Sequence, residues 1–279
     1  MRLIATLITA IAISAAAYGQ RCDSALVLNN TWAFRIGQTK IFDQYLSPQQ
    51  YTGMGYAWAA THAMYYPKTD YRVSWSVYET LQYANTINAS MSAAIMYIGL
   101  EIGFGSYYHW RPVKNLSFQV GGAFEASGGV KYQSRNVNNP GSGDIALTLL
   151  AAGKARYDIP LKPLTISLQY DLTTPLIGCM FIPEWGQSYF EIYEHMKESL
   201  PDVVKFSSFH NRTGVDGHFK VDLIFSGFTL RAGFVHENNW WHGNGLHFYC
   251  HNIFGEIGTV VDLQMLCGRK ALKRTPVLL

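Results

Sequence analysis

Past residue 19 the sequence holds no run of about 18 apolar residues, and that absence excludes a transmembrane helix from residues 20–279. Charge is scarce too: 15% of residues are Asp, Glu, Lys or Arg, the formal net charge is +3, and no five like charges cluster. Nothing here marks a nucleic-acid partner. The four cysteines include no CxxC pair, which removes the commonest thiolate motif for metal or redox chemistry. Helical periodicity is almost missing. What is plentiful is glycine (25), tyrosine (18), phenylalanine (15) and tryptophan (7), beside a mean hydropathy of zero. That is the composition of a β-barrel with one oily and one polar face.

Residues 1–19 read as a signal peptide: Arg2 opens it, Leu3 to Ala17 is apolar, and Ala17-Tyr18-Gly19 is a small-x-small cleavage site. Residues 20–279 then form a single exported domain. All four cysteines follow the cleavage site, in a compartment where disulfides persist. Cys22 precedes the first strand and Cys267 follows the last, so closure of a barrel would bring them together. Cys179 and Cys250, both near the other end, make the second candidate pair.

Alternation of apolar and polar residues recurs in segments of about ten residues. Phe219, Val221, Leu223 and Phe225 alternate with His218, Lys220, Asp222 and Ile224; Ile98, Leu100, Ile102 and Phe104 alternate with Gly99, Glu101, Gly103 and Gly105. Tight turns fall at 67–70, 111–115, 160–163 and Ser226-Gly227, and longer connections at 38–50, 83–90, 131–143, 174–202 and 238–244. The pattern predicts an all-β, antiparallel up-and-down transmembrane barrel of about ten strands, with twelve as the alternative. Its short turns are periplasmic and its longer loops external. Strands are expected at 28–37, 51–66, 71–82, 91–110, 115–130, 144–158, 164–173, 203–225, 228–237 and 245–265. A bulge is expected within 51–66, where the alternation blurs around His62. Ser188-x-x-Glu191 is a capping box that opens a short helix over about 188–200, inside an external loop.

Parity sends Arg35, Glu101, Glu125, Lys154, Arg156, Asp171, His210, Arg212, Asp216, His218, Lys220, Asp222, Arg231, Glu256 and Asp262 into the lumen. A ten-stranded barrel is little wider than the eight-stranded kind that side chains can fill, so a lumen packed with paired charges is expected. A sharper reading takes Ser208, His210 and Asp216 as a nucleophile relay at the outer rim, acting on lipid. Against it, outer-membrane lipid hydrolases carry His-x-Ser on the lipid-facing side, whereas here the order is Ser-x-His and parity points inward. His236, His242, His247 and His251 crowd the last loop, but their spacing matches no ligand set, and no metal or other cofactor is expected. The ten-stranded omptin proteases match in strand number but not in motifs.

Asp43-Gln44-Tyr45-Leu46-Ser47-Pro48 before Tyr51-Thr52-Gly53, with Ser208-Phe209-His210-Asn211 and Leu230-Arg231-Ala232-Gly233, resembles a family of uncharacterised outer-membrane barrels of Bacteroidota-type Gram-negative bacteria. The resemblance covers most of the mature chain. It implies location and fold and transfers no catalytic residue. The expectation is an outer-membrane barrel, more structural or binding than enzymatic, whose partners are outer-membrane lipid and an envelope protein or small ligand at the external loops. A rim lipid hydrolase and a small passive pore are the alternatives.

Overall fold

The computed structural model describes residues 27–66, 69, 71–137, 139–225 and 228–262. The expected signal peptide, Cys22, Cys267 and the expected Ser226-Gly227 turn lie outside them, as does the side chain of Asp262. Eleven strands follow in order: β1 (Val27–Asp43), β2 (Gln50–Tyr65), β3 (Val73–Asn88), β4 (Ala94–Val113), β5 (Leu116–Gln133), β6 (Gly141–Pro160), β7 (Thr165–Phe181), β8 (Val204–Ser208), β9 (Arg212–Ile224), β10 (Thr229–Gly243) and β11 (Leu246–Asp262). Two short helices, α1 (Tyr189–Glu194) and α2 (Met196–Val203), stand between β7 and β8. The sheet runs β6-β5-β4-β3-β2-β1-β11-β10-β9-β7, and β6 pairs with β7. Ten antiparallel strands therefore close on themselves, with β8 outside the ring. Among the described residues no helix is long and apolar enough to cross a membrane.

Closure pairs the backbone of every wall strand on both sides, the condition a chain must meet to cross hydrocarbon without a helix. Side-chain alternation then sorts the two faces. On β4, Ile98, Leu100, Ile102 and Phe104 point out and are each about half exposed, while Gly99, Gly103 and Gly105 point in and are buried. Trp32, Phe34 and Ile36 on β1, Leu147 and Leu149 on β6 and Phe234 on β10 extend the same exposed apolar belt. A belt of this kind belongs to a wall facing lipid. The inward glycines make room for aromatics in a narrow lumen: a Cβ on Gly103 would lie 2.1 Å from Cζ of Tyr78.

At the long-loop end the strands outrun the expected boundaries. β1 continues to Asp43, β3 to Asn88, β7 to Phe181 and β10 to Gly243. Ladder pairs such as Lys40↔His251 and Asp43↔Phe248 persist above the belt, because a backbone ladder does not depend on which side chains it carries. The connection expected over 238–244 is instead Asn244-Gly245, both at positive φ, joining Gly243 to Leu246. That is the signature of a two-residue type I′ hairpin. No bulge interrupts β2, whose register with β1 and β3 is continuous; the shifts fall at Trp110/Val113 and Leu149/Leu150. The segment expected as one strand over 203–225 is broken after Ser208. Asn211 Oδ1 accepts from Ser208 N–H at 3.0 Å and its Nδ2 donates to Phe206 O at 2.8 Å, turning the chain before β9 starts.

Candidate functional site

An apolar plug fills the long-loop end of the lumen. Ile41, Tyr45, Leu46, Tyr51, Ile95, Met180, Ile182, Leu246 and Phe248 form one buried cluster, with Tyr189 and Trp241 packed against it. Asp43 folds the loop after β1 inward, since its Oδ1 accepts from the N–H of Tyr45 at 3.1 Å and of Leu46 at 3.3 Å. Asx-type turns of this kind fix a loop without help from a helix or ladder. Tyr45 Oη donates to Gln187 O at 2.7 Å, tying this loop to the long one, where Ser188 and Glu191 close the capping box at the start of α1. Burial, with Tyr189 and Asp43 nearby, pushes the Tyr45 phenol up to about 12, so it stays a donor. The helix read over 188–200 is in fact the pair α1 and α2, meeting at His195.

Under the plug lies an ion triad that sequence reasoning missed. Lys131 Nζ donates to Asp43 Oδ2 at 2.9 Å and to Asp144 Oδ1 at 2.8 Å. The Lys131 side chain is 1% exposed and that of Asp43 0%. Trp241 and Phe248 place their rings 5.4 and 5.7 Å from the same ammonium. Asp43 and Lys131 fell in segments expected as loops, where no face could be assigned. Continuing the alternation through Ile41-Asp43 and Lys131-Gln133 would have found them.

Below the triad is a polar cavity of ≈ 280 Å³. Of the residues expected in the lumen, Arg35, Glu101, Glu125, Lys154, Arg156, Asp171, Arg212, Asp216, His218, Lys220, Asp222 and Arg231 line it. Glu256 is buried beside it on Arg35, whose Nε donates to Glu256 Oε2 at 2.8 Å while its Nη1 reaches Glu237 Oε1 at 3.3 Å. Glu237, where the expected strand ends and β10 continues, is a further luminal carboxylate beyond the expected set. Lys220 pairs with Asp171 at 2.6 Å, and Arg231 grips Asp222 through Nε and Nη2 at 2.7 and 2.8 Å. Tyr78 Oη donates to Glu125 at 2.9 Å, Asn239 Nδ2 to Asp216 at 3.1 Å and Arg212 Nη1 to Thr148 Oγ1 at 2.6 Å. Carboxylates dominate at mid-height, with Glu101, Glu125, Asp216 and Glu237. Toward the short-turn end Lys154, Arg156, Lys220 and Arg231 stand among Asp158, Asp171 and Asp222.

His210 is not in the lumen. It sits exposed on the turn after β8, its ring stacked on the outward Phe206, because the turn at 209–211 resets the parity that pointed it inward. Ser208 Oγ and His210 Nδ1 are 2.6 Å apart. Asp216, the expected third member, lines the cavity on the other side of the wall and bonds Asn239, so the relay is not assembled. His236, His242, His247 and His251 lie on β10 and β11 rather than in a loop, as two ring pairs, His236 with His251 at 4.8 Å and His242 with His247 at 5.5 Å. Cys179 and Cys250 are both free thiols, which corrects the expected bond between them. Cys179 pairs in register with the outward Leu147 and Phe206, whereas Cys250 lines the cavity two strands beyond β9. Opposite faces of non-adjacent strands cannot meet disulfide geometry.

A family model described as "Protein of unknown function (DUF3316)" matches residues 2–270. The chain belongs to this family. No curated protein matches the sequence. Among solved structures, similar chains include the translocator domain of the autotransporter NalP from Neisseria meningitidis, at 9% identity and TM-score 0.36, covering 91% of this chain and 95% of that one. The transport unit of the autotransporter AIDA-I from Escherichia coli follows at 9% identity and TM-score 0.37, covering 86% and 91%. The COG4313 outer membrane channel from Pseudomonas putida F1 stands at 10% identity and TM-score 0.36, covering 87% and 99%. The barrel assignment rests on the strand pairing of this chain itself.

Proposed function

We propose that the protein is a non-enzymatic outer-membrane barrel of a Gram-negative, Bacteroidota-type envelope, exported by a cleaved signal peptide. Its lumen is closed to the outside and serves a binding or structural role. The supporting observation is the plug: nine buried apolar residues sit over the Lys131, Asp43 and Asp144 triad at the long-loop end. The exposed apolar belt supports the membrane setting, and the short-turn end, where both ends of the described chain lie, is the periplasmic one. Below the plug, most luminal charges are held in ion pairs or hydrogen bonds rather than left free to line a conduit.

Planar-bilayer recording of the purified barrel tests this directly. Negligible conductance is expected, and a stable open level would overturn the closed lumen. Acyl release from outer-leaflet lipid that disappears in His210→Ala would overturn the non-enzymatic part, since Ser208 and His210 form the one exposed serine–imidazole contact among the described residues.

A further inference from the structure

The short-turn half of the lumen has cationic groups whose bonds are unmade. Arg156 is only 6% exposed. Its Nε donates to Asp158 at 2.7 Å, yet neither Nη1 nor Nη2 meets an acceptor. A guanidinium carries five donors, and buried polar nitrogens left without partners are rare enough to demand an explanation. Lys154, two residues earlier on the same inward face of β6, makes no hydrogen bond or ion pair among the described residues and lies 4.2 Å over the Tyr107 ring. Ser167 Oγ, fully buried on β7 opposite Asp158 in the register, is a third group without a partner.

The nearby carboxylates do not supply the missing bonds. Asp171 is held by Lys220, and Asp222 by both Arg231 and Gln169. We infer that Arg156 and Lys154 form a binding site for a small soluble phosphate, inorganic or monoester, in the cavity they both line. The guanidinium of Arg156 can offer a fork to two oxygens, while the ammonium of Lys154 serves a third. A carboxylate has only two oxygens and would leave part of this donor set idle. The acidic mid-lumen around Glu101 confines an anion to the lower half. Entry from the periplasmic end rests on the closed-lumen reading of the previous section; binding in micelles, where one solvent bathes both faces of the barrel, does not depend on which face that end meets.

The test titrates inorganic phosphate into the purified barrel in chloride buffer, by calorimetry and by 31P line broadening, with acetate as a parallel arm. Saturable phosphate binding is expected, at least ten-fold tighter than acetate. Arg156→Met should weaken it roughly ten- to hundred-fold, the range for hydrogen bonds to a charged group. Lys154→Met and Arg156→Lys should each weaken it several-fold, and the outward Lys40→Met, which removes the same charge, should leave it unchanged. Heat-modifiable migration shows which variants keep a closed barrel, and Arg156→Lys carries the test should Arg156→Met fail to fold. Absence of saturable binding, equal affinity for acetate, or equal loss in Lys40→Met would overturn the assignment. A conducting barrel that still binds phosphate would refute the closed lumen and leave this site standing.

Discussion

Replacing Lys131 with methionine is the most informative single perturbation of the plug. Methionine nearly matches the lysine stem in length, so packing against Trp241 and Phe248 is largely kept while the charge disappears. Two charge-assisted bonds, at 2.9 and 2.8 Å, are lost together. Asp43, whose side chain is fully enclosed, then faces Asp144 with no counter-charge between them. Stranding a buried charge in this way costs about 3–5 kcal/mol. The way to distinguish lost attraction from lost packing is to neutralise the partners as well. Lys131→Met with Asp43→Asn and Asp144→Asn keeps the shapes, and the amide introduced by Asp43→Asn would retain an oxygen for the Tyr45 and Leu46 backbone N–H groups. This triple variant should recover most of the deficit, because a buried ion pair and a well-packed neutral replacement are often close in stability. Reversible urea unfolding in lipid vesicles, followed by tryptophan fluorescence, measures all three proteins. A Lys131→Met loss below about 1 kcal/mol, or a triple variant no more stable than the single, would refute the reasoning.

Gly103→Val should cost about 3 kcal/mol in the same unfolding assay, since the new Cβ displaces the Tyr78 ring and breaks its bond to Glu125. On a Tyr78→Ala background the same substitution should cost far less, and additive losses would refute the steric account. The α1 cap predicts a pH effect. The Ser188 backbone N–H, then its side chain, hold the exposed Glu191 carboxyl below its ordinary 4.5. A depressed folded value means that the cap's stabilisation is present above the unfolded value and is lost as pH falls through the folded one. Cleavage of the 189–203 segment by pepsin, normalised at each pH to an unfolded reference peptide, should therefore rise only below pH 4.5 and show no such rise in Glu191→Gln.

The barrel was legible in the sequence where apolar and polar residues alternate through the lipid belt, as on β4 and β9. It was illegible above the belt. There the ladder is carried by residues such as Gln38 to Asp43, whose outward members (Gln38, Lys40, Phe42) and inward members (Thr39, Ile41, Asp43) each mix polar and apolar side chains, so alternation gives no contrast. Asn244-Gly245 was nonetheless a strong hairpin signal and outweighs the polarity of its surroundings. The face of His210 could not be read, because side-chain bonds from Asn211 break the strand. Cys179 lay in a segment taken for loop, beyond the register shift at Leu149/Leu150 that decides its face. The luminal set was clearest where strands keep perfect parity, from Arg212 through Asp222 on β9.

Several of the polar contacts join strands that are not neighbours. Gln82 on β3 reaches Asn252 on β11 at 3.0 Å, and Lys131 on β5 reaches Asp43 on β1, four positions away around a ring of ten. Such contacts act as spokes. A ring held only by its rim can flatten into an ellipse by small changes in strand tilt, whereas one with chords at different heights resists shear in every direction. The cross-section of this barrel is thus set from within, and a lateral load on the wall is shared with the side chains that cross the lumen.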